Sequence, residues 1–209
     1  MKSPFYNISE KDKKKILQLL QVHIYMYNKG QSILSTMKNN NIIGIISKGY
    51  AEIININYNG EKTTIEELYE DSVFGTVISS IDTKEYEIIA KEQTEVIIID
   101  YDRLFDKINL EKKYYNEFIL NMYSIINDKL QEKNERIRIL TKKTIRNRLL
   151  EYFKIQYSKN HSKHIYLPYN FSDLADYLAV DRSAMSRELK YMKEEGFIEV
   201  KGKRITILY

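Results

Sequence analysis

The chain has 209 residues, 43% of them hydrophobic and 30% charged, with a net charge of +4 and no cysteine. That length holds one large domain or two small ones, each able to bury a core. Composition alone excludes disulfides, thiolate catalysis and a cysteine-ligated iron–sulfur cluster, and no apolar run reaches the roughly 18 residues of a membrane helix. The N-terminal stretch MKSPFYNISEKDKKK lacks the apolar segment of a signal peptide, so the expected location is the cytoplasm. Charge is unevenly placed: residues 141–209 hold 14 Lys and Arg against 8 Asp and Glu, and residues 1–140 hold 19 against 21. A basic end behind a near-neutral front fits either a segment that meets a polyanion or a solvated basic surface.

Ser9 opens a short predicted helix over residues 9–21, with Ile16, Leu17 and Leu20 on its apolar side. From His23 to about Asp100 the pattern changes to short β-rich runs (HIYMY, SILSTM, IIGIIS, YAEIININ, EKTTIEEL, YEIIA, TEVIIID) separated by turn residues. Tyr58-Asn59-Gly60 predicts a hairpin with a type I′ turn, since Asn-Gly supplies the positive φ angles it needs. Many short strands within residues 23–100 predict a small sandwich or barrel of jelly-roll type. Residues 72–86 (SVFGTVISSIDTKEY) interrupt the strands at Phe74-Gly75, with a short helix to follow. Such an insertion is either a ligand pocket or a connecting loop.

From about Asp102 the helical period returns. Tyr115, Ile119, Met122 and Ile126 fall at four-three-four spacing, and Phe118, Ile125 and Leu130 widen the stripe. A helix over about 111–137 is near 40 Å long at about 1.5 Å per residue. One face can cover the β-domain while the other pairs with a second copy. Tyr115, Ile119, Met122 and Ile126 are therefore the expected dimer seam, against the alternative of a helix buried wholly in its own subunit. The pattern turns polar in QEKNER, and residues 138–141 are the expected boundary, with Thr141 capping a helix whose apolar stripe is Ile145, Leu149, Tyr152 and Phe153. The expected division is 1–110, 111–140 and 141–209.

Residues 171–196 (FSDLADYLAVDRSAMSRELKYMKEEG) predict two short helices at a tight turn. Leu174, Ala175 and Leu178 stripe the first, and Ala175 is small where a second helix would cross. Asp181 stands where an N-cap belongs. The second helix buries Met185, Leu189 and Met192, and its opposite face carries Arg182, Ser183, Ser186 and Arg187. This is a helix-turn-helix whose recognition helix begins near Arg182. Before it, residues 158–170 predict a loop with a short strand ahead of Pro168. After Gly196, FIEV and RITIL flank Lys201-Gly202-Lys203, a hairpin with a basic tip, so the unit is a winged helix. Glu188 and Glu195 are expected to be solvated or paired with lysines of their own helix. His161 and His164 have metal-pair spacing, yet no carboxylate or third ligand lies near, so no metal is expected. No P-loop, dinucleotide-binding, nucleophile-elbow or zinc-protease motif occurs, and no enzyme is expected.

The order of these elements, and above all the run VDRSAMSRELKYMKEEGFI, resembles the Crp/Fnr family of bacterial transcription regulators. The resemblance implies an α+β chain with an N-terminal cyclic-nucleotide-binding-type β-roll that senses an effector, a long dimerisation helix and a C-terminal winged helix. It implies a homodimer on a pseudo-palindromic operator in double-stranded DNA, with RNA polymerase as a further partner if the protein activates. The family's base-reading positions fall on Arg182, Ser183, Ser186 and Arg187. Arg187 can donate two parallel bonds to guanine O6 and N7, and Arg182 either reads a base or holds a phosphate. Many relatives carry glutamate where Ser183 stands, which points to a different half-site. Lys201 and Lys203, and more weakly Thr141 and Lys143, are phosphate candidates.

The sensor half departs from the cyclic-nucleotide pattern. Effector-site positions fall on Phe74, Gly75, Thr76, Lys84 and Glu85: Phe74-Gly75 match, but Thr76 replaces the ribose-binding glutamate, and Lys84-Glu85 replace the phosphate-binding arginine-serine pair. Glu85 would repel a phosphate, so the effector is expected to be an unidentified small molecule other than a cyclic nucleotide. An iron–sulfur cluster is excluded, and haem is left open through His23, the one sensor histidine. The competing reading is a protein-interaction module, with the winged helix as the binding surface and the β-roll as scaffold.

Overall fold

In the computed structural model, which describes residues 2–34, 41–75, 86–105, 111–167 and 170–208, the chain forms two units, Met1–Asp128 and Lys129–Tyr209. The first opens with α1 (Glu10–Leu19), capped by Ser9, whose hydroxyl accepts from the Asp12 amide at 3.1 Å. Ile16 and Leu20 are fully buried. Among the described residues seven strands follow: β1 (His23–Tyr27), β2 (Ile42–Lys48), β3 (Ala51–Ile56), β4 (Lys62–Leu68), β5 (Val73–Gly75), β6 (Tyr86–Ala90) and β7 (Thr94–Asp100). They make two antiparallel sheets, in the orders β1-β7-β2-β5 and β4-β3-β6.

The unbroken apolar runs in β2 and β7 have a direct cause: both faces of these strands are covered. Alternate residues Ile42, Ile46, Val96 and Ile98 join Ile53, Leu68 and Ile88 in a core between the sheets. Ile43, Ile45, Ile97 and Ile99 point the other way, into a second core with Ile16, Leu20, Tyr115, Phe118 and Met122 from the helices. Gly44 lies opposite Phe74, and a Cβ on it would come within 2.4–2.8 Å of the Phe74 ring. Gly75 has φ +142°, and a Cβ there would lie 2.1 Å from the Ile42 carbonyl oxygen.

Three local expectations are corrected. Asn59 does not take positive φ, whereas Gly60 does, at +81°. The Gly60 amide donates to Asn57 O at 2.8 Å, closing a turn around Tyr58 and Asn59 before a left-handed glycine. The hairpin is real and its turn is the longer type I form with a bulge. Phe74-Gly75 does not break the β pattern but is part of β5. In SILSTM the described residues make a single bridge, Ser32 to Ile89, rather than a strand; residues 35–40 and the helix expected after Gly75 lie outside the described residues.

After a 3-10 turn (Tyr101–Phe105), helix α2 runs from Lys113 to Leu140. In the first unit Tyr115, Phe118, Met122 and Ile125 of α2 are buried. No helix among the described residues is long and apolar enough to cross a membrane.

The second unit contains the end of α2, then α3 (Ile145–Asn160), β8 (His164–Tyr166), α4 (Phe171–Tyr177), α5 (Arg182–Glu194), β9 (Ile198–Lys201) and β10 (Arg204–Ile207). The strands form one sheet in the order β8-β10-β9, so the ribbon expected from the sequence has a third strand. Leu149, Phe153, Leu174, Ala175, Leu178, Met185, Met192 and Ile205 fill its core. The cap of α3 is Thr144, whose hydroxyl accepts from the Asn147 amide at 3.2 Å. Thr141, the expected cap, instead donates to Arg138 O at the end of α2.

Candidate nucleic-acid interface

Helix α4 begins with a capping box. Asn170 Oδ1 accepts from the Ser172 and Asp173 amides at 2.8 and 3.0 Å, and the Asp173 carboxylate accepts from the Asn170 amide. The turn after it carries Ala179 at φ +52°, a left-handed conformation that costs a residue with a Cβ about 1–2 kcal/mol. Arg148 of α3 holds that turn. Its Nη1 donates to Leu178 O at 2.9 Å and Ala179 O at 2.8 Å, and its Nε to Lys142 O at 3.0 Å. Carbonyls left over by the end of α4 are thus satisfied by a charged donor.

Asp181 then caps α5, accepting from the Ala184 amide at 2.7 Å. Met185, Leu189 and Met192 are buried, which fixes the rotation of the helix. Arg182, Ser183, Ser186 and Arg187 are all exposed, and Lys190 and Tyr191 extend the same open surface. The four expected base-reading positions are therefore together on one open face over the first two turns of α5. Arg187 Nε makes a long bond to Ser183 O, at 3.4 Å.

Two residues given other roles by the sequence reading belong to the support of this helix. Glu188 and Glu195 pair with Arg146 of α3, not with lysines of their own helix. Arg146 Nε meets Glu188 Oε1 at 2.5 Å, and its Nη1 and Nη2 each meet an oxygen of Glu195 at 2.8 Å. Hydrogen bonding from Arg146 holds the Glu195 carboxyl below the usual carboxylate range, and the two carboxylates push the guanidinium up. One of the two negative charges is thereby balanced beside a face that carries Arg182 and Arg187, and both carboxylates are held to α3. Spacing along one helix could not reveal this, because Arg146 comes from 42 and 49 residues away.

At the wing, Gly202 takes φ +60° in the two-residue turn between Lys201 and Arg204. Lys201 and Lys203 are exposed; Lys201 lies 3.5 Å from Glu199 and the Lys203 carbonyl accepts from the Leu167 amide. Lys143 is exposed as well. His161 and His164 have structural roles: His161 ends α3 at φ +48°, and His164 Nδ1 is 3.1 Å from Thr206 Oγ1.

In the first unit, Phe74 is fully buried between the sheets and Gly75 pairs with Ile43. Thr76, Lys84 and Glu85 lie outside the described residues. His23 is exposed on the edge strand β1, its ring 6.3 Å from that of Tyr25. Of the expected seam, Tyr115 and Met122 are buried in the first unit's own core, so they are committed to the subunit. Ile119 and Ile126 are partly exposed. The exposed apolar residues of α2 are Leu120, Tyr123, Leu130 and Ile137, three of them at intervals of seven.

Two layered units, one a β-sandwich and the other a winged helix, define the class: a β-roll joined to a winged helix-turn-helix. Residues 145–209 match the family model described as the Crp-like helix-turn-helix domain. Solved structures with the same fold include the catabolite activator protein of Thermus thermophilus, at 16% identity and TM-score 0.52, covering 98% of this chain and 93% of that one. CprK complexed with OCPA aligns at 15% identity and TM-score 0.62, covering 96% and 92%. A CooA variant from Carboxydothermus hydrogenoformans aligns at 21% identity and TM-score 0.53, covering 93% and 90%. No curated protein matches the sequence. The chain has the fold of the Crp/Fnr regulators, and its last 65 residues are a Crp-like helix-turn-helix domain.

Proposed function

We propose that this chain is a sequence-specific DNA-binding transcription regulator that works as a homodimer on a pseudo-palindromic operator. The observation that carries the reading is α5: its buried methionine and leucine face fixes its rotation, and Arg182, Ser183, Ser186 and Arg187 stand together on the open side. Arginine at 187 suits bidentate donation to guanine in the major groove, and the hydroxyls of Ser183 and Ser186 suit either donor or acceptor edges. Lys201 and Lys203 on the wing suit phosphate. Two copies paired along α2 would set their recognition helices about 34 Å apart, one DNA turn. The seam best supported is Ile119, Tyr123, Ile126, Leu130 and Ile137, a heptad run.

The effector is a small molecule other than a cyclic nucleotide, bound by the β-roll around residues 74–85. The ribose position carries Thr76 instead of a carboxylate, and the phosphate position carries Lys84 as a point charge beside a repelling Glu85. Selection of bound fragments from the source genome, with and without cell extract, tests the whole reading. Recovery of a two-fold motif with half-sites one turn apart supports it, and salt-insensitive or absent DNA binding overturns it.

A further inference from the structure

Tyr50 and Tyr69 stand at the open end of the β3–β4 hairpin, one residue outside its last pair, Ala51 and Leu68. Their rings stack, with centroids 4.9 Å apart and planes 19° from parallel. Ala51 and Leu68 are fully buried, whereas Tyr69 is 47% exposed and open to solutes. The chain has neither cysteine nor tryptophan, so no thiol or indole is present to be oxidised in place of these phenols.

Each phenol has a carboxylate of its own. The Tyr69 hydroxyl donates to Glu67 Oε2 at 2.7 Å, and the Tyr50 hydroxyl donates to Glu52 Oε1 at 2.8 Å, with Glu67 Oε1 3.2 Å from the same oxygen. Glu52 and Glu67 are cross-strand partners, so two like charges face each other. Lys91 at 2.9 Å and Thr64 at 3.1 Å hold Glu52 in its ionised form. Burial, reinforced by the carboxylates, pushes the Tyr50 phenol up, and the hydrogen bond to Glu67 does the same for Tyr69. Both phenols therefore keep their protons at neutral pH, and an electron leaves such a group most easily when a base takes the proton with it. Glu67 and Glu52 are within reach to do so.

We propose that Tyr50 and Tyr69 form an oxidative cross-linking site, whose co-substrate is a one-electron oxidant of the peroxide-activated metal–oxo class and whose product is an intramolecular dityrosine. Each phenol gives one electron to the oxidant and its proton to its carboxylate. The two phenoxyl radicals join through the ring carbons next to the C–O bond, forming one C–C bond. The hydrogens on those carbons then pass to the phenolic oxygens through solvent. One peroxide takes up both electrons and both protons and leaves as two waters. The new bond closes the open end of the hairpin, as a disulfide would in a chain that has cysteine. The site is independent of how the protein reads DNA.

The test is treatment of the dilute full chain with a haem peroxidase and hydrogen peroxide, followed by dityrosine fluorescence, intact mass and peptide mapping. The expected product is a single chain lighter by two hydrogens, with the peptides holding Tyr50 and Tyr69 joined. Tyr50→Phe and Tyr69→Phe should each abolish that cross-link, whereas Tyr58→Phe, at the exposed tip of the same hairpin, should leave its yield unchanged. Glu67→Gln keeps a hydrogen-bond acceptor but is a far weaker base, so it should slow the reaction severalfold and flatten its fall in acid relative to wild type. Melting temperatures of the untreated variants check their folding, and the peptide map of the wild-type product decides by itself if a variant melts early. Cross-links solely between chains, oxygen addition in place of hydrogen loss, joined peptides that exclude either tyrosine, an equal yield from Tyr69→Phe, or an unslowed Glu67→Gln would each overturn the proposal.

Discussion

Arg146 on α3 meets Glu188, in the middle of the recognition helix, through a 2.5 Å bond between Nε and Oε1, while its two terminal nitrogens hold both oxygens of Glu195. One guanidinium thus clasps α5 at its middle and at its C-terminal end. Replacing it with methionine should lower the melting temperature of the second unit and leave Glu188 available to repel phosphate. Thermal melts should show a wild-type advantage that shrinks with salt. The pH dependence has a definite sign. The Glu195 carboxyl is held down by Arg146 in the folded state, so the contribution is complete above the ordinary carboxylate value near about 4.3 and is lost as pH falls through the lower folded value. Wild type and Arg146→Met should converge in stability as the solution is acidified through that window.

Arg187→Ala should weaken binding to the selected operator by about 1–3 kcal/mol and leave binding to random DNA nearly unchanged. Mobility shifts on both DNAs at fixed salt check this. An equal loss on both would make Arg187 a phosphate contact instead.

Arg148→Ala removes the donor shared by Leu178 O, Ala179 O and Lys142 O. Because Ala179 is already left-handed, the turn loses its external support, and a drop of about 2–4 kcal/mol is expected in denaturant unfolding of the second unit. Hydrogen exchange should localise the loss to the amides of residues 178–184.

In the first unit, Gly75→Ala places a Cβ 2.1 Å from a backbone oxygen at a φ of +142°. Neither strain can relax through a side-chain rotation, so the loss should exceed about 3 kcal/mol, seen as a large fall in the urea midpoint.

Along α2, Leu130→Glu and Ile137→Glu should shift sedimentation from dimer towards monomer without lowering the melting temperature of the isolated subunit. Met122→Ala should do the reverse, costing about 2–5 kcal/mol of subunit stability through a cavity.

The parts of this chain that the sequence makes legible are those whose cause is local. Ser9 and Asp181 cap the helices they precede because a hydroxyl or carboxylate next to free amides needs no help from distant chain. Met185, Leu189 and Met192 lie buried because their spacing matches the helical period. What escaped has partners far away in sequence. Tyr115 and Met122 have the spacing of a seam, yet the β-sheet covers them first. Glu188 and Glu195 have no lysine three or four residues away on their own helix, and the arginine that holds them comes from α3. Thr141 and Thr144 are equally good caps by type, and the choice between them depends on where α2 stops. Phe74-Gly75 looks like an interruption because a bulky ring and a glycine seldom share a strand; here the ring needs the gap opposite it at Gly44.

That last pairing bears on how the central sheet finds its alignment. Polarity ordinarily penalises a strand that slides by one residue, because the slip turns its apolar side to water. Along β2 the penalty is small, since isoleucine faces both ways and a slipped pairing with β5 would bury nearly the same surface. The one indentation along β2 is Gly44, and the Phe74 ring fits only there. A single missing methyl group, rather than hydrophobic pattern, then acts as the index mark of the β2–β5 pairing. Filling it with Gly44→Ala should slow folding and admit misaligned forms before it does anything else.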